Sequence, residues 1–509
     1  MKNDLYYDGT KTERVVFLKR AKKIASVLRE QGVGEDDAVG VLLRNDLTYL
    51  EVIQACRYVG PYFVTLNWHG STPEIINILK DAKAKVVIGH SDLTAKLTPG
   101  AGMEVTVLDV PTPREVLQAY GVKAVSNENH ALLPQLIKAA APIKTPPLRY
   151  RGMLAYTSGS TGRPKGIRRA VDLSKPDPYT TYKGLAVILM QLEPGDRFYT
   201  SAPLYHSAPN ALSTVSLATE YAEVYIASKF DAEGFLADIE RFRITHCYIV
   251  PTMMVRLLKL PKNIRQKYDT SSWKFSITTG SAWPRDIKKA MIDWFGPIFY
   301  ESYGASEIGF ITMISSTEAL EKPGSVGKIL KGGSIKIIDD EGNELPVGEA
   351  GNIYVDLPLF GDFTYSNTEG DIKGQRHGKH ATVGDVGYLD TDDYLYVSDR
   401  KKDMIISGGA NIFPAEIEAA LIEMPEVFDC AVFGAPHPEF GEKVIAAVQC
   451  VPLKSVSLAN LQLFLSSRIA KFKIPQQIDI HAQLPREDSG KIFKQRLRAP
   501  YWEKTTRKI

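Results

Sequence analysis

The chain has 509 residues, which is more than one hydrophobic core usually serves, so two or three packed units are expected. Hydrophobic residues make up 44% and charged residues 24% of the chain, which is ordinary for a soluble globular protein. The formal net charge of +3 is close to neutral at this length and argues against nucleic acid as a partner.

The cysteines and the N-terminal region indicate in which cellular compartment the protein is expected. The cysteines form no CxxC pair and have no neighbouring His cluster: Cys56, Cys247, Cys430 and Cys450. We therefore expect buried reduced thiols in a cytoplasmic protein, rather than a disulfide framework or a zinc site. The N-terminal region shows no signal-peptide core and no apolar run that could span a bilayer. Residues 15–28 predict an amphipathic surface helix.

Apolar runs of strand length alternate with helical patterns in the first third of the chain, and similar strands recur farther along. Strands are predicted at residues 38–43, 62–66, 85–89, 247–250, 275–279 and 298–300, and helices at 48–58 and 73–82. This alternation is typical of parallel sheets covered by helices.

The pattern changes after Lys322, where short strands and turns predict a smaller β-rich lobe. From Asp399 onward the pattern is a compact α+β one. Helices are predicted there at 414–424 and 458–469, and strands at 430–433 and 444–451. We predict an α/β protein whose large N-terminal domain, residues 1–398, has two helix-covered sheets plus the β-rich lobe. A small α+β C-terminal domain, residues 403–509, follows the charged segment 399–402.

The strongest local signal is the loop from Tyr156 to Gly166, which follows a strand-like run. Its glycines let the backbone approach a ligand and point successive N–H groups at an anion, and Lys165 adds a positive charge. This is chemistry for holding a polyphosphate. The spacing excludes a Walker A loop and a dinucleotide fingerprint. By composition alone, such a loop is more often a flexible surface connection.

The order of these residues, Tyr-Thr-Ser-Gly-Ser-Thr-Gly-Arg-Pro-Lys-Gly, resembles the signature loop of the adenylate-forming superfamily. That superfamily contains acyl-CoA synthetases, peptide-synthetase adenylation domains and firefly luciferase. The usual fifth residue is Thr, and Ser160 keeps its hydroxyl. The resemblance implies that ATP phosphates are bound by Thr157, Ser158, Gly159, Ser160, Thr161, Gly162 and Lys165.

A second element, Tyr-Gly-Ala-Ser-Glu ending at Glu307, looks like the Tyr-Gly-x-Thr-Glu element of the same superfamily. The resemblance implies that Tyr303 stacks on adenine, Ser306 donates to the α-phosphate and Glu307 helps bind Mg²⁺. An aromatic face suits a purine, and a carboxylate suits a hard cation beside phosphates. On the pentapeptide alone, Glu307 would be a surface carboxylate before a turn. The nucleotide-binding residues implied here are Gly280, Ser281, Ala282, Glu301, Ser302, Tyr303, Gly304, Ala305 and Ser306.

Asp385 stands in a Gly-Asp element that resembles the ribose site, where one carboxylate accepts from both ribose hydroxyls. Without the resemblance, Asp385 would be interpreted as an ordinary turn residue between two glycines. Tyr205 and His206 resemble the aromatic-His element that borders the carboxylate pocket, and we expect His206 to gate and position the acid. The acyl-pocket residues implied are Tyr205, His206, Ala208, Pro209, Ile308 and Gly309.

The sequence Asp-Arg-Lys-Lys-Asp at 399–403 resembles the inter-domain hinge, with Arg400 at ribose or phosphate and Lys402 as the pivot. The resemblance therefore implies a mobile catalytic C-terminal domain. In that domain Lys491 aligns with the catalytic lysine of a Pro-Arg-x-x-x-Gly-Lys-Ile element. As a lone residue, Lys491 would be one of many exposed lysines. The turn implied to line the coenzyme A channel contains Ser407, Gly408, Gly409 and Ala410.

Three further segments resemble the fatty-acyl, aryl and bile-acid CoA ligase branch: residues 67–69, 434–442 and 472–475. The resemblance implies an AMP-forming acid:CoA ligase that uses ATP, Mg²⁺ and coenzyme A on a fatty or other hydrophobic acid. Alternatives are an acyl-adenylate donor to a carrier protein, a luciferase-like enzyme, and a degenerate nucleotide binder. The simultaneous presence of the catalytic and nucleotide residues argues against the last. A monomer and a homodimer both stay open.

Overall fold

The structure is a computed structural model. It describes residues 3–97, 104–157, 165–169, 174, 176–219, 221–280, 283, 285–360, 362–366, 375–400, 403–408, 410–486 and 492–503. The strands are β1 (Leu5–Tyr7), β2 (Thr10–Thr12), β3 (Ala38–Leu42), β4 (Tyr62–Thr65), β5 (Ala84–His90), β6 (Thr106–Val110), β7 (Ala131–Leu132), β8 (Met153–Thr157), β9 (Lys165–Arg169), β10 (Asp196–Thr200), β11 (Ala222–Ile226), β12 (His246–Tyr248), β13 (Phe275–Thr278), β14 (Phe299–Glu301), β15 (Gly304–Ala305), β16 (Gly309–Phe310), β17 (Thr312–Ser315), β18 (Lys328–Ile329), β19 (Ser334–Ile338), β20 (Gly351–Asp356), β21 (Phe363–Tyr365), β22 (Arg376–His377), β23 (His380–Leu389), β24 (Leu395–Arg400), β25 (Ile405–Ser407), β26 (Ala410–Ile412), β27 (Val427–His437), β28 (Gly441–Cys450) and β29 (Gln477–Ile480).

The helices alternate with these strands through most of the N-terminal region. They are α1 (Arg14–Glu30), α2 (Leu47–Val59), α3 (Thr72–Asp81), α4 (Ser91–Thr94), α5 (Arg114–Tyr120), α6 (Leu133–Ala139), α7 (Pro178–Met190), α8 (Ser207–Ala218), α9 (Ala232–Phe242), α10 (Pro251–Leu258), α11 (Lys262–Arg265), α12 (Arg285–Phe295), α13 (Ser316–Glu321), α14 (Pro414–Ile422), α15 (Leu458–Ser466) and α16 (Lys494–Trp502). Short 3-10 turns lie at Pro358–Phe360 and Lys471–Lys473.

Two large sheets with parallel centres confirm the predicted α/β class. One has the order β18-β17-β14-β13-β12-β10-β11-β1-β2, and the other has the order β21-β9-β8-β4-β3-β5-β6-β7. Pairing is parallel from β14 to β1 and from β8 to β7, and antiparallel at the remaining edges. All five residues of β3 are buried, which is expected where helices cover both faces of a parallel sheet.

The β-rich lobe predicted after Lys322 is present. Its sheet consists of β19, β20, β22, β23 and β24, whereas the short strand β18 pairs with β17 at the edge of the nine-stranded sheet. β21 leaves the lobe altogether and pairs antiparallel with β9 in the eight-stranded sheet. A three-residue strand carries too little periodicity to reveal its partner. This crossing brings β21 to the predicted phosphate loop.

The C-terminal region has its own sheet and core. β25 to β29 form one sheet, on which α14 and α16 pack against β27. Its core contains the buried side chains of Ile417, Val432, Val444 and Leu461. A separate core is what an independent unit needs, and the boundary at 399–402 stays a prediction.

Three of the four thiols and the first helix lie as the sequence suggested, and Cys450 is half-buried. All four cysteines are free, and Cys56, Cys247 and Cys430 are buried. Burial raises the pKa of the Cys56 thiol to about 12. α1 buries one face, including Phe17 and Leu28. Within the described residues, no helix combines the length and the apolar character needed to cross a membrane.

His246 at the start of β12 is a buried histidine. Its Nδ1 lies 2.8 Å from Thr245 Oγ1 and 3.7 Å from Asp196 Oδ2. Burial lowers the pKa of the imidazole from 6.5 to about 4, although the Asp196 carboxylate opposes this shift. Between these two pH values the unfolded chain binds more protons than the folded chain. The stabilisation is therefore present above pH 6.5 and is lost as the pH falls towards 4.

We expect His246 to lower the free energy of unfolding by at most about 3 kcal/mol as the pH falls through this window. Urea unfolding at several pH values measures it. His246→Gln should flatten the pH dependence over that range, whereas His377→Gln, a half-buried histidine of the β-rich lobe, should leave it unchanged. Equal slopes for wild type and His246→Gln would contradict the assignment.

Candidate active site

The predicted phosphate loop is carried by a β-hairpin at the edge of the eight-stranded sheet. β8 ends at Thr157 and β9 begins at Lys165, and these residues stand opposite each other in the antiparallel pairing. The hairpin therefore brings the two ends of the loop together. The loop residues between them, 158–164, lie outside the described residues.

Tyr365 on β21 touches both residues that were predicted to act on the phosphates from this side. Lys165 Nζ is 5.5 Å from the centroid of its ring, and its hydroxyl donates to Glu307 Oε1 at 3.4 Å. Burial and the Glu307 carboxylate raise the pKa of the Tyr365 phenol, which therefore stays a donor at neutral pH. The structure thus brings the predicted phosphate lysine and the predicted Mg²⁺ ligand to one aromatic ring.

Ser306 is held between the hairpin and α8. Arg169 Nη2 donates to the Ser306 carbonyl oxygen at 3.0 Å, and Ser306 Oγ lies 3.2 Å from Ser207 Oγ. Burial lowers the pKa of the Arg169 guanidinium, against the opposing effects of Tyr182 and Glu307. An arginine stays charged even so. A half-buried positive charge therefore lies next to the predicted α-phosphate donor.

Tyr303 and Asp385, predicted for adenine and ribose, are in direct contact. The Tyr303 hydroxyl donates to Asp385 Oδ2 at 2.5 Å, across a separation of 82 residues. Asp385 is buried on β23, where the register sets it opposite Arg400 on β24. The structure thus brings the Tyr303 hydroxyl to Asp385 and sets the backbone of Arg400 opposite Asp385.

Glu301 and Ser302, also predicted to bind nucleotide, have interior partners. Lys288 Nζ on α12 donates to Glu301 Oε2 at 2.5 Å, and Ser302 Oγ donates to the Thr312 carbonyl at 2.7 Å. Burial raises the pKa of the Glu301 carboxyl, while Lys288 opposes the shift. These side chains stabilise the segment that leads into Tyr303, and a nucleotide contact would have to come through their backbone.

The short hairpin β15–β16 presents Ser306 to Ile308. A Cβ on Gly304 would lie 2.4 Å from the Gly309 carbonyl oxygen, so only glycine allows the strands to approach this closely. Ile308 is buried here, and Ala305 is the second residue of β15.

The predicted acyl-pocket residues come from this hairpin and from the start of α8. Ala208 and Pro209 follow Ser207 in the first turn of α8, and Pro209 is buried. Because Ser207 contacts Ser306, the two predicted walls lie side by side.

The turn before α8 carries Tyr205 and His206. Their ring centroids are 4.2 Å apart, and the Trp68 ring lies edge-on to Tyr205 at 6.2 Å. His206 is the N-cap position of α8. Buried Asn45 holds the turn, because its Oδ1 accepts from the Leu204 amide at 2.8 Å. The local geometry suits a positioning role for His206.

The predicted coenzyme A turn connects β25 to β26 in the C-terminal sheet. Ser407 and Ala410 face each other across it, and Gly408 has a left-handed φ of 57°. The Gly408 amide donates to the Phe440 carbonyl at 2.8 Å. The channel role of this turn stays a prediction.

Several predicted site residues lie partly or wholly outside the described residues. Gly280 has a φ of 96° at the start of its turn. The side chains of Thr157 and Arg400 lie outside the description, although their backbones are within it. The residues wholly outside it are Ser158, Gly159, Ser160, Thr161, Gly162, Ser281, Ala282, Lys402, Gly409 and Lys491. Their roles stay predictions.

Glu307 fits a Mg²⁺ ion of the kind that accompanies a nucleotide. Within the described residues, no group of three or more His, Cys, Asp or Glu side chains could hold a metal ion. Mg²⁺ commonly binds through one or two carboxylates, with waters and substrate phosphates completing its shell. One carboxylate close to Tyr365 and Lys165 matches that donor set.

Sequence reasoning missed Arg169 and Tyr365. Arg169 comes three residues after the Pro-Lys-Gly of the loop, and that adjacency was the available signal. Tyr365 had no local signal, because it reaches the site only through the pairing of β21 with β9.

The chain matches the model of the AMP-binding enzyme family over residues 8–360 and that of the AMP-binding enzyme C-terminal domain over residues 416–491. A feruloyl-CoA synthase from Amycolatopsis sp is 31% identical, with 97% of this chain and 94% of that protein covered. An indoleacetate–CoA ligase from Aromatoleum aromaticum is 30% identical, with 95% and 92% covered.

One enzyme of known structure is similar over nearly its whole length. The o-succinylbenzoate CoA synthetase MenE from Bacillus subtilis, in complex with its acyl-adenylate intermediate OSB-AMP, is 25% identical with a TM-score of 0.79, covering 100% of this chain and 96% of that chain. Its complex with ATP and magnesium is 26% identical with a TM-score of 0.78, covering 97% and 96%.

The fold and these matches together define an acid–thiol ligase that works through an acyl-adenylate. The chain belongs to the AMP-binding enzyme family. It activates a carboxylic acid with ATP, releasing pyrophosphate, and transfers the acyl group from acyl-AMP to coenzyme A with release of AMP. The resemblance predicted from the sequence motifs is confirmed.

Proposed function

We propose that the acid is an aromatic or arylalkyl carboxylic acid. The supporting observation is the similarity, over nearly the whole chain, to ligases named for ferulate and indoleacetate. The predicted acyl pocket agrees with a hydrophobic substrate, because Tyr205, Pro209 and Ile308 are buried beside the Ser207–Ser306 contact. The fatty acid expected from the sequence is the competing candidate.

We assign the binding of ATP to the residues gathered around Tyr303 and Tyr365. Lys165 and Ser306 donate to the polyphosphate, while Tyr303 and Asp385 hold adenine and ribose. Glu307 would hold Mg²⁺ together with the phosphates, and the ion would supply neutralisation of part of the polyphosphate charge. The half-buried guanidinium of Arg169 fixes Ser306 and lowers the cost of bringing a carboxylate beside ATP.

The first chemical step requires stabilisation of charge that develops between the acid and the α-phosphate. Lys491 is the residue that we propose for it. The second step requires the thiol to reach the acyl-adenylate, for which the C-terminal domain would turn about Lys402 and bring in the turn at 407–411. His206 positions the carboxylate. We also propose that the enzyme acts in the cytoplasm as a monomer or a homodimer, with segment 399–402 as the hinge between its domains.

A panel of acids assayed for pyrophosphate release and for acyl-CoA tests the substrate class. We expect ferulate, indoleacetate and phenylacetate to have kcat/KM values at least tenfold above those of octanoate and palmitate. The matched control is each reaction without coenzyme A, in which adenylation should occur once without sustained turnover. A higher kcat/KM for an alkyl acid would overturn the aromatic assignment and leave the ligase activity intact.

A further inference from the structure

Asp81, the last residue of α3, contacts one strand of the phosphate-loop hairpin and the residue that follows β21. Its Oδ2 accepts from the Tyr156 hydroxyl at 2.6 Å and from the Ser366 hydroxyl at 2.5 Å. Tyr156 lies on β8, and Ser366 directly follows β21. One carboxylate oxygen therefore joins segments that are 75 and 285 residues away along the chain.

Ser366 extends this contact to β9. The Gly166 amide donates to Ser366 Oγ at 3.2 Å, and the Ser366 amide donates to the Gly166 carbonyl at 2.8 Å. The Ser366 hydroxyl gives its single proton to Asp81 and accepts from Gly166, so every donor has one acceptor. Burial and Asp81 raise the pKa of the Tyr156 phenol, which stays protonated and able to donate.

Close packing supports the same network. Tyr156 and Gly166 are partners in the β8–β9 pairing. A Cβ on Gly166 would lie 2.7 Å from Ser366 Oγ and 2.8 Å from Tyr156 Cζ. Any other residue at Gly166 would therefore push the two hydroxyls away from Asp81.

α3 is a firm support for this carboxylate. Ser71 and Glu74 form a capping box at its first turn, with Pro73 inside the start. Ile75 and Leu79 are buried in the core beneath. Because this helix is fixed, a carboxylate at its end holds the hairpin in a defined position.

We propose that Asp81 is a positioning residue for the phosphate loop. It acts through Tyr156 and Ser366, which are next to Thr157 and Tyr365. A shift of the hairpin away from Asp81 would move Lys165 with it, together with the ring that contacts Glu307. The negative charge itself opposes ATP binding, so the useful property of Asp81 is its acceptor oxygen and not its charge.

Variants at Asp81 can separate the effect of its acceptor oxygen from the effect of its charge. Asp81→Ala removes the acceptor, and we expect the Kd and KM for ATP to rise about tenfold. Asp81→Asn keeps an acceptor oxygen without the charge, and its ATP affinity should stay within about threefold of wild type. Tyr156→Phe should have an effect between these two and add little on top of Asp81→Ala. Calorimetry with a non-hydrolysable ATP analogue measures the affinities.

The acyl transfer step separates positioning from general damage. Coenzyme A acylation from supplied acyl-AMP needs no polyphosphate site, and Asp81→Ala should keep it within about twofold of wild type. The matched control is Asp238→Ala, which removes another carboxylate that accepts from a tyrosine, Tyr199, at 3.0 Å on the nine-stranded sheet. It should lower Tm without changing the affinity for ATP.

Three results would overturn the proposal. The first is wild-type ATP affinity in Asp81→Ala. The second is a loss in Asp81→Asn as large as that in Asp81→Ala. The third is a parallel fall of ATP affinity and acyl transfer in Asp81→Ala. The inference rests on the proposed assignment of the phosphate loop to ATP. Its ATP-binding arm is independent of which acid is the natural substrate, and its acyl-transfer arm uses feruloyl-AMP, so a failure of the aromatic assignment leaves the ATP-binding result intact.

Discussion

Lys491→Ala should reduce adenylation by about 10² to 10³-fold and leave thioester formation from supplied acyl-AMP nearly unchanged. A preorganised cation beside the α-phosphate lowers the barrier only while charge builds on the acid and the phosphate. In the proposed scheme, the thiol displaces AMP in the second step after Lys491 has left the site. Pyrophosphate exchange measures the first step, and acyl transfer from purified acyl-AMP measures the second.

The control for this variant is Lys454→Ala, which removes an exposed lysine of the same domain whose Nζ is 3.4 Å from the Pro425 carbonyl. It should retain both half-reactions, because exposed surface contacts contribute little. Equal loss of both half-reactions in Lys491→Ala would exclude the two-conformation scheme. Full adenylation activity in Lys491→Ala would show that another residue supplies the catalytic positive charge.

Asp385→Ala should weaken ATP binding at least a hundredfold. Two ribose hydroxyls would lose a charged acceptor, at about 1.5–3 kcal/mol for each hydrogen bond. The carboxylate is buried and already receives the Tyr303 hydroxyl at 2.5 Å, so the acceptor geometry exists before the nucleotide arrives. Calorimetry with ATP and with 2′-deoxy-ATP measures the loss, and the variant should no longer distinguish the two nucleotides.

Tyr303→Phe is the matched control, because it keeps the aromatic face and removes only the donor to Asp385. We expect its ATP affinity to stay within about tenfold of wild type, with discrimination between ATP and 2′-deoxy-ATP preserved. If Tyr303→Phe lost as much affinity as Asp385→Ala, the Tyr303–Asp385 contact would be the cause. Unchanged ATP affinity in Asp385→Ala would show that the ribose lies elsewhere.

The fold class was predictable because its signals are local. The strands predicted at 62–66 and 85–89 are β4 and β5, and the helix predicted at 73–82 is α3 to within a residue. Runs of apolar residues report burial on both faces of a parallel sheet, and helical periodicity reports one buried face. Such patterns need no knowledge of the partner.

The β-rich lobe was predicted from its short strands, and its strands at 334–338 and 351–356 are present. The sheet to which the shortest strands belong was not predictable, because pairing decides membership of a sheet. β21 has three residues and joins β9, and β18 has two residues and joins β17. The hydrogen bonds that unpaired edges require, and not residue preferences, set these positions.

The motif residues were predicted from their order and type, whereas the residues that support them were not predicted. Asp385 and Tyr303 were named from separate segments, but their hydrogen bond could not be read from either. Arg169 and Tyr365 entered only with the coordinates, because each acts on a residue far away along the chain.

By itself, the sequence determined the family, the two-step chemistry and the residue types that the chemistry needs, because reactive groups recur in fixed order within short segments. The tertiary structure alone decided which side chains hold those segments in place. Asp81 meets Ser366 across 285 residues, and Lys288 meets Glu301 between a helix and a strand. Such contacts depend on how sheets and helices pack, and short-range sequence patterns carry no information about packing partners.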